Sequence, residues 1–543
     1  EMVRSDWSSD VCSSDLFPRG PMAERRRPGQ DGKLFGFSVM SMGNMASALL
    51  AYFRFAQITA VFGANWRTDA LAVAMVFPQL IKEVIAHSFG SAFIPIYSRV
   101  VEQRGHEQGV RFVSKVLTWI SLAGLVFFAM LWLASDTIVK MVSPSGSPEL
   151  LELASMLLRT VLPIIVLVPF SGILANFIKY EKRFRILPMA GIINLGVSLG
   201  MIVAVGDRIG VAIMPVSMIA GSVAELVFLL YQALLSGFRF RPSVAADSYA
   251  VQLARMSGPV VLGTVVGFFA PIADKMLASF LPESSVTAID YANRIKAIVL
   301  SVVFGPLLVF ADLDFSAEAA KGKLDSLLEA LRKSLNTTSL IMYPTAFMLM
   351  MLAVPVVSVF FQRGNLTGAD ARYIGYALAF YAPWLAQFGL GSLVSRAFYA
   401  LKDSRTPVVI GIFGVITNVL LNVILVGPLG IGGLALATTI TSTAKTFYLT
   451  WSLSRKLGGL HLKLIAAEQG RLLASNMLGI GACVLMLRLW SFSTETPFLL
   501  RSSQLMVYSA AGFGVIAASL HFSGSTAMRR VISEIRSRRG SSS

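Results

Sequence analysis

Residues 157–205 read LLRTVLPIIVLVPFSGILANFIKYEKRFRILPMAGIINLGVSLGMIVAV. Two apolar runs flank a tight basic cluster, Lys179, Lys182, Arg183 and Arg185, and Arg159 interrupts the first run. Each run is long enough to cross a hydrocarbon layer of roughly 30 Å as a helix. Lys and Arg collect in loops on the cytoplasmic side, so the stretch reads as a membrane hairpin with its turn inside.

The same unit repeats along the chain. Apolar runs separated by polar breaks give about fourteen helices, at 34–62, 68–98, 112–136, 149–178, 184–206, 210–236, 250–281, 285–313, 326–360, 369–401, 406–427, 430–454, 470–491 and 498–522. Every second connection is basic: Arg99 to Lys115, Lys179 to Arg185, Arg239 and Arg241, Lys321 to Lys333, Lys402 and Arg405, and Arg455 to Lys463. The connections between them, such as 282–285 and 427–432, carry little positive charge. That alternation predicts an even number of spans with both termini in the cytoplasm. Pro78, Pro163, Pro169, Pro271, Pro306, Pro344 and Pro383 mark expected bends.

Composition agrees. The 543 residues are 55% hydrophobic and 14% charged, with mean hydropathy +0.68, the profile of a polytopic all-α membrane protein. The net charge of +17 is spread over short loops, which reads as orientation and contact with anionic membrane lipids rather than nucleic-acid binding. Cys12 and Cys483 make no disulfide framework. Residues 1–20 show neither helical periodicity nor a signal-peptide layout and read as a non-native remnant, followed by a basic cytoplasmic start around Arg25–Arg27.

Catalysis is disfavoured. The sequence has no G-x-x-x-x-G-K-[ST] loop and no H-E-x-x-H pair. It does have ionisable residues inside apolar runs: Arg54, Lys82, Arg159, Asp274, Arg294 and Arg396. Each costs at least about 2.5 kcal/mol at membrane depth, so such groups face a paired or watery interior. A conduit lined by cations suits an anionic cargo. Lys82 and Glu83 point about 100° apart on their helix, and His87 lies further along it. Asp69 sits near a helix end, as a cap or gate contact. Asp290 and Arg294 are an i,i+4 pair that either steadies its own helix or presents a planar donor fork to pyrophosphate, with Asn293 beside them. Asn418 and Asn422 share a face and are a candidate monovalent-ion site, or simply interhelical hydrogen-bonding groups. No other cofactor is expected, and the energy source would be an ion gradient or the membrane potential.

Several stretches carry a family resemblance: FGANWRTDALAVAMVFPQLIKEVIAHSFGSAFIPIYSRV at 62–100, KMLASFLPESSVTAIDYANRIK at 275–296, FQRGNLTGADARYIGYALAFYAPWLAQFGLGSLVSRAFYALKDSRTP at 361–407 and NVLLNVILVGPLGIGGLALAT at 418–438. They resemble the MurJ (MviN) family of lipid II flippases within the multidrug/oligosaccharidyl-lipid/polysaccharide exporter superfamily. The resemblance implies two six-helix lobes in a V, at 33–240 and 241–457, two further helices at 458–525 and a basic tail at 526–543. It implies transport of undecaprenyl-pyrophosphate-linked peptidoglycan precursor across a bacterial cytoplasmic membrane, alongside cell-wall synthesis machinery. A paralogue exporting another polyprenyl-linked glycan is the alternative. Central-cavity roles fall on Arg54, Asp69, Lys82 and Arg294, with Arg159 a further cationic candidate; Glu83, His87, Asp290 and Asn293 are gate or structural candidates. This chain has Lys82 where the family often has Arg, Ala48 where it often has a further Arg, and His87 where it often has Glu.

Overall fold

The computed structural model describes the backbone from 30 to 529, except 182, 184, 185, 246, 321–323, 402, 404, 458–461, 524, 526 and 527. Side chains are described within that range outside 30–42, 44, 85–92, 207, 259, 306–320, 324–327, 400 and 462–465. His87 therefore lies outside the described side chains.

Every regular element among the described residues is helical. In order they are α1 (Gln30–Phe62), α2 (Trp66–Ala74), α3 (Val76–Arg104), α4 (His106–Leu133), α5 (Ser135–Val142), α6 (Pro148–Val161), α7 (Ile164–Tyr180), α8 (Leu187–Ile209) and α9 (Ile213–Leu235). There follow α10 (Ser248–Ala278), α11 (Ser285–Ala320), α12 (Leu324–Met351), α13 (Ala353–Phe361), α14 (Gly368–Ala400), α15 (Arg405–Leu429), α16 (Ile431–Leu457), α17 (Leu462–Leu489) and α18 (Phe498–Phe522). Lipid offers the backbone no hydrogen-bond partners, so only helices that satisfy their own amides suit this composition.

Local chemistry sets the ends and breaks. Asn65 caps α2, its Oδ1 accepting from the amides of Arg67 at 3.0 Å and Thr68 at 3.3 Å, while Thr68 Oγ1 accepts from the Asn65 amide. Ser147 caps α6 with Pro148 in its first turn. Thr367 and Asp370 form a capping box on α14. The expected bend at Pro163 separates α6 from α7, and the α2–α3 break falls at Met75, three residues before Pro78. At Pro344 the expectation fails: α12 continues through it, and the 80° bend comes instead between Met351 and Ala353.

Ten helical stretches are long and apolar enough to cross a membrane, and eleven if α12 and α13 form one bent span. The expected fourteen is not reached by that measure. The long stretches that fall short are α2–α3, α11 and α16. The first two carry Asp69, Lys82, Asp290 and Arg294, and the third is rich in threonine. Polar side chains turned inward lower a helix's mean hydropathy without exposing it to lipid.

Packing separates the chain into two groups. Helix α7 packs on α3, α4 and α9, α8 joins α1 to α9, and α2 lies on α6. An aromatic core built around Phe93, Tyr97 and Phe177 holds this group, with Tyr97 edge-on to Tyr180 at 4.7 Å. In the other group α14 packs on α11, α12, α13 and α16, and α15 on α16; α17 and α18 pair and lean on α12 and α13. Packing in lipid depends on close approach rather than on hydrophobicity. At Gly221 of α9 an added Cβ would sit 2.5 Å from the Asn194 carbonyl oxygen.

Helix α10 belongs to both groups, contacting α3 and α4 and also α15. Apart from α10, the groups meet chiefly where α1 and α2 reach α11 and α13, close to the 282–285 connection. At the opposite end α10 is tied to the first group, by Lys115 to Asp247 at 3.0 Å and by Arg104 stacked 4.8 Å from the Tyr249 ring.

Candidate functional site

Arg54 on α1, Lys82 on α3 and Arg294 on α11 face one space between the groups, close enough for each to feel the others' charge. Lys82, six residues into α3, is exposed, and Arg54, eight residues before the end of α1, is only half-buried. Glu83 is exposed beside Lys82. Glu225 of α9, whose carboxylate takes a 2.7 Å hydrogen bond from Asn194, also lies within electrostatic reach of Lys82.

Arg294 makes the expected i,i+4 pair: its Nε donates to Asp290 Oδ2 at 2.6 Å. Asp290 is shared. Its Oδ1 takes a 2.9 Å hydrogen bond from Lys275 of α10, whose ammonium also donates to the Ala72 carbonyl of α2 at 2.7 Å. One carboxylate thus serves two cations. Arg294 also lies 5.9 Å from the Phe55 ring, and the small cleft that it lines with Phe55, Thr68 and Asp290 spans both groups.

One end of this space is sealed by an exchange of helix caps. Asp69, 4% exposed, accepts from the amides of Ser284 at 2.8 Å and Thr287 at 2.7 Å and from Thr287 Oγ1 at 2.6 Å. A carboxylate of α2 therefore caps the N-terminus of α11. In return Glu283, just before α11, accepts from the Trp66 amide that opens α2, at 3.0 Å. Each carboxylate meets the positive end of a helix dipole. Ser284 takes a left-handed φ of 73°, and its hydroxyl donates to the Ala64 carbonyl. Backbone held in that region is costly and marks a constrained junction. Nearby, Asn365 donates from its amide to the Ala60 carbonyl at 2.8 Å and from its side chain to Val61. Gly364 (φ 55°) faces the same Ala60 carbonyl so closely that no Cβ would fit.

Arg159 is placed elsewhere. Its Nε donates to Ser135 Oγ at 2.6 Å and its guanidinium pairs with Asp136 at 2.8 Å, fastening α6 to α5. The carboxylate that claims it lies 23 residues upstream, in a short helix that the periodicity alone does not separate. Asn418 and Asn422 are buried on one face, as expected, and Asn422 holds a carboxylate. Asn422 Nδ2 donates to Asp274 Oδ1 at 2.6 Å and to Asn418 Oδ1, and Asn418 donates to Thr438. The Tyr381 hydroxyl reaches Asp274 Oδ2 at 3.4 Å and takes a long hydrogen bond from Asn293. The Lys296 ammonium lies 4.2 Å from the Tyr381 ring and 4.0 Å from the Trp384 ring, within electrostatic reach of Asp274. Tyr381, Trp384 and Lys296 were not expected to share a site; aromatic residues spaced three apart on α14 are the only signal for it. No three His, Cys, Asp or Glu residues gather as a metal site among the described residues.

Outside the spans, Lys456 bonded at 2.6 Å holds the Asp403 carboxyl down to about 2, helped by hydrogen bonds from the Thr406 amide and hydroxyl.

Three comparisons bear on this geometry. The family model described as "Lipid II flippase MurJ" matches residues 58–502. A "Probable lipid II flippase MurJ" of Synechocystis is 25% identical, covering 87% of this chain and 93% of the relative. One of Thermotoga maritima is 26% identical, covering 76% and 83%. Among solved structures, "Lipid II flippase MurJ, inward closed conformation" superposes with TM-score 0.73 at 19% identity, covering 88% of this chain and 99% of that one. An inward-facing multidrug-resistance MATE transporter reaches 0.66 at 15% identity, covering 78% and 98%.

Proposed function

Because this chain belongs to the lipid II flippase MurJ family, we propose that it moves lipid II across the membrane by alternately opening the cation-lined space between its two groups of helices. The observation that carries this reading is the convergence of Arg54, Lys82 and Arg294, drawn from both groups. A lipid pyrophosphate is the cargo that such a space suits, since a guanidinium fork matches its oxygens and its charge relieves the cations' mutual repulsion.

On the orientation that the alternating basic loops favour, both termini lie in the cytoplasm of a bacterial inner membrane and the 282–285 end lies outside. The cap exchange between Asp69 and Glu283 then closes the outer side, and the basic-loop side admits the headgroup. We read α2–α3, α11 and α16 as further spans, which brings the count to fourteen, and the two groups as lobes of 33–240 and 241–457. Substrate bound across the cations draws the lobes together, and the outer caps part in exchange. With no nucleotide loop in the sequence, the driving energy comes from an ion gradient or the membrane potential, which is worth about 2.3 kcal/mol per charge per 100 mV. Delivery outside supplies cell-wall synthesis.

The test is rescue of a bacterium depleted of its own flippase. Growth and normal shape are expected; lysis despite normal membrane abundance would refute the reading. Impermeant thiol reagents should label Asn365→Cys in intact cells and leave Arg239→Cys unlabelled; the reverse would overturn the orientation.

A further inference from the structure

Positive charge is sparse in the connections assigned to the outer side, where Arg67, Lys140 and Arg208 stand singly, and it collects in one place. Arg363 follows α13, Arg372 lies in the second turn of α14, Arg488 in the last turn of α17 and Arg501 in the first turn of α18. All four fall at the outer end on the orientation proposed above, where the positive-inside rule predicts few. The fold gathers three of them onto one patch.

Arg501 is the centre of that patch. It is 8% exposed, and its guanidinium is held by Ser358 Oγ at 2.8 Å, the Ser358 carbonyl at 3.5 Å and Gln362 Oε1, all neutral. Its Nε has no partner among the described residues. Gln362 reaches on to the Thr494 carbonyl at 2.9 Å, and Arg372 donates to the Thr494 hydroxyl. Arg363 lies 5.8 Å from the Phe498 ring. The carboxylates beside the patch are Glu495, exposed and 3.5 Å from Arg372, and Asp370, engaged in its own capping box. The arginines outnumber them.

Two features say what would complete the patch. Helix α18 starts after Pro497 with no side-chain cap, and a buried arginine in a first turn opposes the helix dipole, so a nearby anion would satisfy both. Phe498, Leu499 and Leu500 are exposed apolar residues alongside the arginines. Cationic forks over an apolar ledge at a bilayer edge match a phosphate carrying acyl chains. We propose that this patch binds the phosphodiester of an anionic phospholipid in the outer leaflet, its chains lying along Phe498 and Leu499, and that the lipid seats the α17–α18 pair against α13 and α14. This rests on the membrane orientation proposed above but not on the identity of the transported lipid.

The test uses the full-length protein in neutral micelles, titrated with phosphatidylglycerol or phosphatidylcholine of matched chains and read by native mass spectrometry and thermal melting. Phosphatidylglycerol should bind in preference and raise the melting temperature. Arg363→Gln and Arg372→Gln should each weaken that binding about fivefold, the worth of one cation at an anionic surface. Arg501→Lys keeps a charge for folding and should lose most of the preference with the fork. Arg239→Gln with Arg241→Gln at the cytoplasmic end should leave it intact. An unchanged preference in the Arg363→Gln/Arg372→Gln double variant would overturn the proposal, as would a loss confined to the cytoplasmic variant. Equal stabilisation by inorganic phosphate, or by undecaprenyl pyrophosphate without phosphatidylglycerol, would also overturn it by assigning the patch to another anion. Failed rescue by the wild-type chain would strike the transport reading and leave these binding results standing.

Discussion

Two polar regions lie within the membrane-spanning body, and they treat charge in opposite ways. Between the groups, Lys82 is exposed, Arg54 is half-exposed and Arg294 shares the Asp290 carboxylate with Lys275. Around Asp274 every charge is enclosed: Asn422 and Tyr381 serve the carboxylate, Asn418 steadies Asn422, and two aromatic faces hold Lys296. Charge left short of partners and open to water is suited to a ligand that comes and goes. Charge matched and sealed holds helices together, here α10 and α15 with α11 and α14. A place within an apolar run is common to both, so it does not tell a binding group from a strut; the completeness of its partners does.

The sharpest way to break that distinction is Arg294→Ala. It should abolish rescue of a flippase-depleted strain while membrane abundance stays normal, and Arg294→Lys should rescue in part because an ammonium lacks the planar fork. Full activity of the alanine variant would return Arg294 to a helix-stabilising role.

Asp274→Ala should do the reverse, lowering the melting temperature of the purified protein. Stranding a buried ammonium costs about 3–5 kcal/mol. Asp274→Ala combined with Lys296→Met should recover much of the loss, because the second change removes the stranded charge. If the double variant is no more stable than the single one, the two residues are not coupled and the sealed-pair view falls.

Asp69→Asn separates sealing from binding. The amide keeps the size of the carboxylate but loses the charge that meets the α11 dipole, a loss of about 1 kcal/mol. Ile58→Cys, just inside the seal, should then react several-fold faster with an impermeant thiol reagent added outside. An unchanged rate would mean that Asn365 and Gly364 hold the outer end without the cap exchange.

The smallest effect belongs to Asp403, outside both regions. Its carboxyl is lowered in the folded state to about 2, against an unfolded value near 3.9. Its contribution to stability is therefore present above about pH 4 and lost as pH falls toward 2. The melting-temperature gap between wild type and Asp403→Asn should be small and constant from pH 7 to 5 and close only below about 4. A gap that varies above pH 5 would implicate another group.

How much of this was legible beforehand follows from the distance at which each feature is encoded. The helix pattern, the basic-loop alternation and the Asp290–Arg294 pair are local: apolar runs, short loops and an i,i+4 spacing. They appear directly in the primary structure. The family resemblance added the cavity roles of Arg54, Lys82 and Arg294, which the fold does bring to one space. Arg159 misled because an isolated arginine in an apolar run looks the same whether it faces a cavity or a neighbour such as Asp136. The bend after α12 was misplaced because a helix can carry a proline when surrounding helices support it.

The chain's own order of residues determined that this protein lives in a membrane as a bundle of helices, which loops are basic, and that its interior is cationic. Those properties follow from transfer energies and backbone hydrogen bonding, which act residue by residue. Tertiary structure alone decided that Asp69 caps a helix 218 residues further on, that Lys275 ties Asp290 to the backbone of α2, and that Asn422 closes on Asp274. Each is a contact between groups far apart along the chain. Whether a buried charge binds cargo or braces a helix depends on which of these distant partners reaches it.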